Sequence, residues 1–132
     1  MKTTRIATLL AGLAGAMDAA TGLGLVLLPG FTLRMMGVVA PTGDALVFLR
    51  WVGAFVGAVG ASYLIALIRG GTMRLREVFV FTLVFRAAAG GYAAWAVASG
   101  ALDARWITVA LTDGALVAVQ VWLLRRGGWN DE

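Results

Sequence analysis

Phe79-Val-Phe-Thr-Leu-Val-Phe-Arg86-Ala-Ala-Ala-Gly-Gly-Tyr-Ala-Ala-Trp-Ala-Val97 is an apolar run long enough to cross a membrane, with one arginine near its middle. An arginine at that depth costs ~2.5–3.5 kcal/mol on insertion scales. Something in the chain must supply it with partners. The run therefore sets two expectations at once: the solvent of this chain is lipid, and its other apolar segments assemble around Arg86.

Composition points the same way. The chain has 132 residues, 61% of them hydrophobic and 14% charged. Soluble domains are typically about 45–50% apolar and about 25% charged, and a chain this short has too little interior to hide the difference. There is no cysteine and no histidine. That removes disulfides, thiolate metal sites, the commonest metal ligand and the usual near-neutral acid–base group. No metal and no cofactor is expected, only bound lipid, and the chain reads as a non-enzyme.

Working outward from Arg86, four spans are expected in one all-α domain over residues 1–132, an integral membrane four-helix bundle with short loops. They cover about residues 6–28, 45–68, 77–98 and 105–124. Glu77 opens the span that holds Arg86, after a basic turn from Arg69 to Arg76. Asp44 is placed to cap the second span, because a carboxylate suits a helix N-terminus. Pro29-Gly30 ends the first span. The connection from Phe31 to Gly43 is apolar for a loop, so it is expected in the interface, with Phe31, Leu33 and Met36 dipping into lipid and Arg34 at the headgroups. Residues after Leu124 read as a polar, mobile tail. Lys2 and Arg5 before an apolar run and Ala14-Gly15-Ala16 resemble a secretory signal. The apolar run continues past that point, so an uncleaved helix is expected.

The basic residues sort by side. Lys2, Arg5, Arg69, Arg74, Arg76, Arg125 and Arg126 share the side of the termini, whereas Arg34 and Arg105 lie on the other. Short loops rich in Lys and Arg stay in the cytoplasm, which predicts both termini inside a bacterial cytoplasmic (inner) membrane. The net charge of +4 and the sequence pI of about 10.7 then report orientation and attraction to anionic lipid rather than nucleic acid. Trp51, Trp95, Trp106 and Trp122 fall near helix ends, as interfacial anchors do.

Each span carries one ionisable residue away from its ends: Asp18, Arg50, Arg86 and Asp113. At a rise of ~1.5 Å per residue across a core of ~30 Å, Asp18 and Asp113 both fall about 18 Å from the inner edge, Arg86 about 13–14 Å and Arg50 about 21–23 Å. Long arginine side chains can close such gaps. The expectation is a charge-neutral cluster of all four, with Gln120 on the same face as Asp113. Small residues line the same faces: Gly15 and Gly22 with Asp18, Gly53 and Gly57 with Arg50, Gly90 with Arg86. Small faces let helix backbones approach, so these are expected to pack inside the bundle, Gly53-Ala-Phe-Val-Gly57 included. Such a cluster can fix helix register without doing chemistry, or it can handle an ion, a proton or a substrate.

Several chemistries are excluded by pattern. Asp113-Gly114 begins like the lipid alcohol phosphotransferase signature, but the arginine and later aspartates of that signature are missing. Met17-Asp18 and Thr112-Asp113 do not match the two aspartate motifs of intramembrane aspartyl proteases. There is no phosphate-cradling Gly-rich lysine loop. The layout of Gly22, Pro29, Gly37, Pro41, Arg50, Gly53, Gly60, Tyr63 and Asp113 resembles small bacterial four-helix inner-membrane proteins with a DoxX-like arrangement. The resemblance implies an inner-membrane accessory protein and carries no catalytic residue.

The expected role is a non-catalytic accessory or scaffold subunit of a larger membrane complex. The alternative is a small homo-oligomeric transporter or channel working through Asp18 and Asp113. A third reading is a lipid- or quinone-binding membrane module. Expected partners are membrane lipid and either a larger complex or further copies of the chain.

Overall fold

The computed structural model describes residues 3–129. Among them are α1 (Thr3–Leu27), α2 (Pro29–Met35), α3 (Asp44–Arg69), α4 (Thr72–Ala98), a 3-10 turn (Ala104–Trp106) and α5 (Ile107–Arg126), and no strand. Four of these are long and apolar enough to cross a membrane: α1, α3, α4, and α5 together with its 3-10 turn. Lys2 and the last three residues lie outside the described residues.

The helices extend past their apolar stretches. α4 starts at Thr72, so Arg74 and Arg76 form part of its first turns rather than a basic loop. Gly70 and Gly71 reverse the chain by themselves, with φ of 70° and 94°, angles that glycine adopts without strain. Met73, Arg74, Leu75 and Arg76 are helix formers and continue into the span. Asp44 is the first residue of α3, whose N-cap is Gly43, and no side chain caps that end.

The connection after the first span is partly helical. Leu28 leaves helical geometry, and Pro29 opens α2 at its first turn, where its missing N–H costs nothing. Leu33 does not dip outward as expected. It is fully buried against Leu25 and Val38, and Met36, Leu49 and Trp106 pack on this group. Phe31 stays exposed. α2 thereby closes the end of the bundle opposite the termini. Trp51, Trp95 and Trp122 are exposed, whereas Trp106 is half-buried in that closure.

The four long helices associate as two tight pairs, α1 with α3 and α4 with α5. The first pair is built on glycine. Gly22 meets the backbone of Gly57 and the carbonyl of Gly53, Gly60 meets the backbone of Ala19, and Gly15 lies under the Cβ of Tyr63. Gly53 and Gly57 thus face a helix of their own chain. The contact makes an asymmetric prediction. A Cβ on Gly22 would run into α3 backbone, which no rotamer change relieves, so Gly22→Ala should lower stability by ~2–3 kcal/mol. A Cβ on Gly57 would sit 3.7 Å from the Gly22 Cα, an ordinary contact. Gly57→Ala should be neutral or stabilising by up to about 1 kcal/mol through helix propensity. Melting temperatures in detergent check the pair, and equal losses in the two variants would contradict this packing.

The remaining space is filled at the end near the termini. The residues that α1 buries there are the alanines Ala7, Ala11 and Ala14, with Ile6 and Leu10 packing at the margin, and Tyr63, Leu75, Phe79, Leu123 and Trp129 complete the core. Trp129 belongs to the segment expected to be a mobile tail, yet it is 5% exposed. Its indole N–H donates to the carbonyl oxygen of Leu123 at 3.1 Å, an acceptor left over by the end of α5. Its ring meets Phe79 edge-on at 5.6 Å.

Candidate functional site

Arg86 lies in the middle of α4 and is 3% exposed. It faces inward for the reason the sequence suggested: Thr82, Gly90 and Ala93 share its face and are buried with it. Its guanidinium joins three other helices. One terminal nitrogen, Nη2, donates to Oδ2 of Asp18 on α1. The other, Nη1, donates to Oδ1 of Asp113 on α5 at 2.9 Å. The Nε–H donates to the hydroxyl of Tyr63 on α3 at 3.4 Å, and the guanidinium carbon stands 5.7 Å from the Tyr63 ring centre. One side chain thereby touches all four long helices and ties the α1–α3 pair to the α4–α5 pair.

Small residues make room for the bridge. A Cβ on Gly90 would lie 2.8 Å from the Cβ of Asp113, so the bare backbone one turn after Arg86 lets α5 bring its carboxylate in. On α1, Ala14, Gly15 and Gly22 flank Asp18 and are buried with it.

A neutral polar group continues from the bridge. Gln120 on α5 donates from Nε2 to the Tyr63 hydroxyl at 2.6 Å and to the Thr82 hydroxyl at 2.9 Å. The Thr82 hydroxyl itself donates to the carbonyl oxygen of Val78 at 2.7 Å. Gln120 is 1% exposed, and its Oε1 is buried without a hydrogen-bond partner among the described residues. Buried polar atoms without a partner are rare enough to need a reason.

Arg50 is not part of this arrangement. The four-charge, neutral cluster expected from residue depths contracts to Asp18, Arg86 and Asp113, and Arg50 is exposed. The cause is helix register. Ala19, next to Asp18, touches Gly60 of α3. Arg50 precedes Gly60 by ten residues, or about 15 Å along the helix, beyond the reach of its side chain. Arg50 lies toward the N-terminal end of α3, away from the bridge and exposed. Arg50→Gln should therefore shift stability by no more than about 0.5 kcal/mol; a loss as large as that of an Arg86 variant would place Arg50 in the core after all.

Sequence reasoning placed Asp18, Arg86, Asp113 and Gln120 on inward faces but assigned Tyr63 and Thr82 no part in the polar group. A signal for Tyr63 existed: it continues the buried stripe of Gly53 and Gly60 along α3. Beside the site, a groove of about 530 Å³ runs between α1 and α5, lined by Leu10, Leu13, Met17, Leu111, Ala115 and Leu116. Among the described residues no group of three or more Asp or Glu side chains is placed to hold a metal.

Fold and site together define a class: an all-helical chain with four candidate membrane spans drawn together by a buried Asp–Arg–Asp bridge. Comparison with protein-family models, with curated proteins and with solved structures finds no match to this chain.

Proposed function

We propose that this chain is a multi-pass protein of a bacterial cytoplasmic membrane, with both termini inside, and that it serves as a non-catalytic accessory or scaffold subunit of a larger membrane complex. The observation that carries the reading is the saturation of Arg86. Its two terminal nitrogens each hold a carboxylate and its Nε–H holds a hydroxyl, so a single residue locks four helices in register. A bridge used up in this way acts as a structural centre, the best-attested use of buried charge. The outer surface is the part left to interact. On α3, Phe48, Trp51 and Phe55 are exposed and form a row with ring centres 6.3 Å and 6.1 Å apart. Rows of this kind suit lipid or a partner helix. The DoxX-like layout favours the same role.

A photo-crosslinking amino acid at Phe55, used in native membranes, tests this reading. A crosslink to a different membrane protein is the expected result. Crosslinks to lipid alone, together with purification as a lone chain, would remove the basis for an accessory subunit.

The alternative is a small homo-oligomeric transporter or channel. What favours it is the excess of carboxylate over guanidinium in the bridge, because intramembrane charge marks ion and proton pathways. Flux in proteoliposomes that disappears in Asp18→Asn and Asp113→Asn variants would support this reading. The α1–α5 groove favours the third reading, a site for a lipid or quinone tail, since it is apolar and of the size such sites have.

A further inference from the structure

The Asp18–Arg86–Asp113 bridge is short of one positive charge. Two carboxylates meet one guanidinium, so the ionised group holds an unbalanced negative charge between the helices, where unpaired charge is costly. Each aspartate spends one oxygen on Arg86. The Oδ1 of Asp18 and the Oδ2 of Asp113 have no hydrogen bond among the described residues. Arg50, the remaining intramembrane cation, stands exposed elsewhere on α3.

Gln120 supplies an independent observation. The Thr82 hydroxyl spends its hydrogen on Val78, so it can only accept from the amide. That fixes Nε2 toward Thr82 and Tyr63 and leaves Oε1 over, in a side chain 1% exposed. Tyr63 connects this amide directly to Arg86. The bundle therefore holds a connected polar group with three acceptor oxygens unspent and one negative charge in excess.

We propose that this group binds one exchangeable monovalent cation per chain, a proton or an alkali metal ion, at the Asp18–Asp113 pair. The charge balance sets the number and the valence, because a divalent ion would replace an excess of one sign by the other. The donors at the pair set the chemistry: carboxylate oxygens suit hard cations. The titratable and charged groups facing the pair are Asp18 from α1, Tyr63 from α3, Arg86 from α4 and Asp113 from α5. The inference concerns what occupies the bridge, so it holds whether or not the chain joins a larger complex.

The test is thermal melting of the full chain in detergent at constant ionic strength, in two arms. One replaces choline by Na⁺ at pH 8; the other lowers the pH from 8 toward 6 without Na⁺. The wild type should gain ~2–4 °C in one arm, as a ligand of the folded state does. A gain in the first arm identifies an alkali metal ion, and in the second a proton. Asp18→Asn and Asp113→Asn each leave one carboxylate on one guanidinium, and both should lose the gain. Should these variants fail to fold, modification of the wild type by dicyclohexylcarbodiimide, read by mass spectrometry, replaces them. Labelling of Asp18 or Asp113 that Na⁺ or raised pH suppresses is then the expected result. A wild type indifferent to both arms and unlabelled overturns the proposal, as does an Asp113→Asn variant that keeps the full gain.

Discussion

Arg86→Met should be the most damaging single substitution in the chain, with a loss of ~3–5 kcal/mol of stability in detergent. Methionine fills most of the volume but leaves the buried Asp18 and the half-buried Asp113 with no donor for the oxygens that Arg86 now holds. The Tyr63 hydroxyl loses a donor as well. The cost is chiefly that of stranded carboxylates and not of a missing attraction, and that distinction can be measured. Adding Asp18→Asn and Asp113→Asn to the Arg86 variant removes the stranded charge, so the triple variant should recover most of the loss. A cycle of single and combined variants, followed by thermal melting, reads the coupling. If Arg86→Met melts within a degree or so of the wild type, the bridge does not hold the two helix pairs together.

Trp129→Ala should cost nearly as much, ~3–5 kcal/mol, the range for truncating a buried tryptophan. The reason lies in α1, whose alanines at positions 7, 11 and 14 cannot fill the space near the termini. The ring of Trp129 fills it and packs on Phe79, which in turn meets Tyr63 edge-on at 5.8 Å. Gly127 and Gly128 bring the chain back over the bundle with φ of 71° and 82°, and the hydroxyl of Thr4 donates to the Gly128 carbonyl oxygen at 3.3 Å. Trp129→Phe keeps much of the packing and loses the hydrogen bond to Leu123, so about 1 kcal/mol is expected. Melting curves of the two variants separate packing from hydrogen bonding. An Ala variant as stable as the wild type would mean that the segment after α5 only rests on the surface.

The two positions differ in how legible they were. Arg86 stood out because the cost of charge in lipid is local: it follows from one residue in one apolar run. Asp18 and Asp113 followed from it, as the nearest opposite charges at similar depth. Trp129 could not be read this way. It sits among glycines, asparagine and charged residues, and only the gap left by alanines on a distant helix shows what it is for. Tyr63 and Thr82 could be read only as members of inward faces, Tyr63 with Gly53 and Gly60 and Thr82 with Arg86; that they meet through Gln120 could not, since a hydroxyl carries no sign of its partner.

Sequence alone determined the four long apolar helices, the inward faces of α1 and α4, and the choice of Asp18 and Asp113 as partners of Arg86. These rest on hydropathy and on the placement of small residues, both of which are properties of one helix at a time. The tertiary structure decided which charges meet. Depth counted from expected helix ends put Arg50 near enough to the level of the aspartates for its side chain to reach them, but the levels of two helices are set by their contact and not by their ends. The close approach of Gly60 to Ala19 and of Gly22 to Gly57 fixes α3 against α1 and leaves Arg50 about 15 Å too far along the helix. That register turns an expected neutral cluster of four charges into a bridge of three with one negative charge to spare.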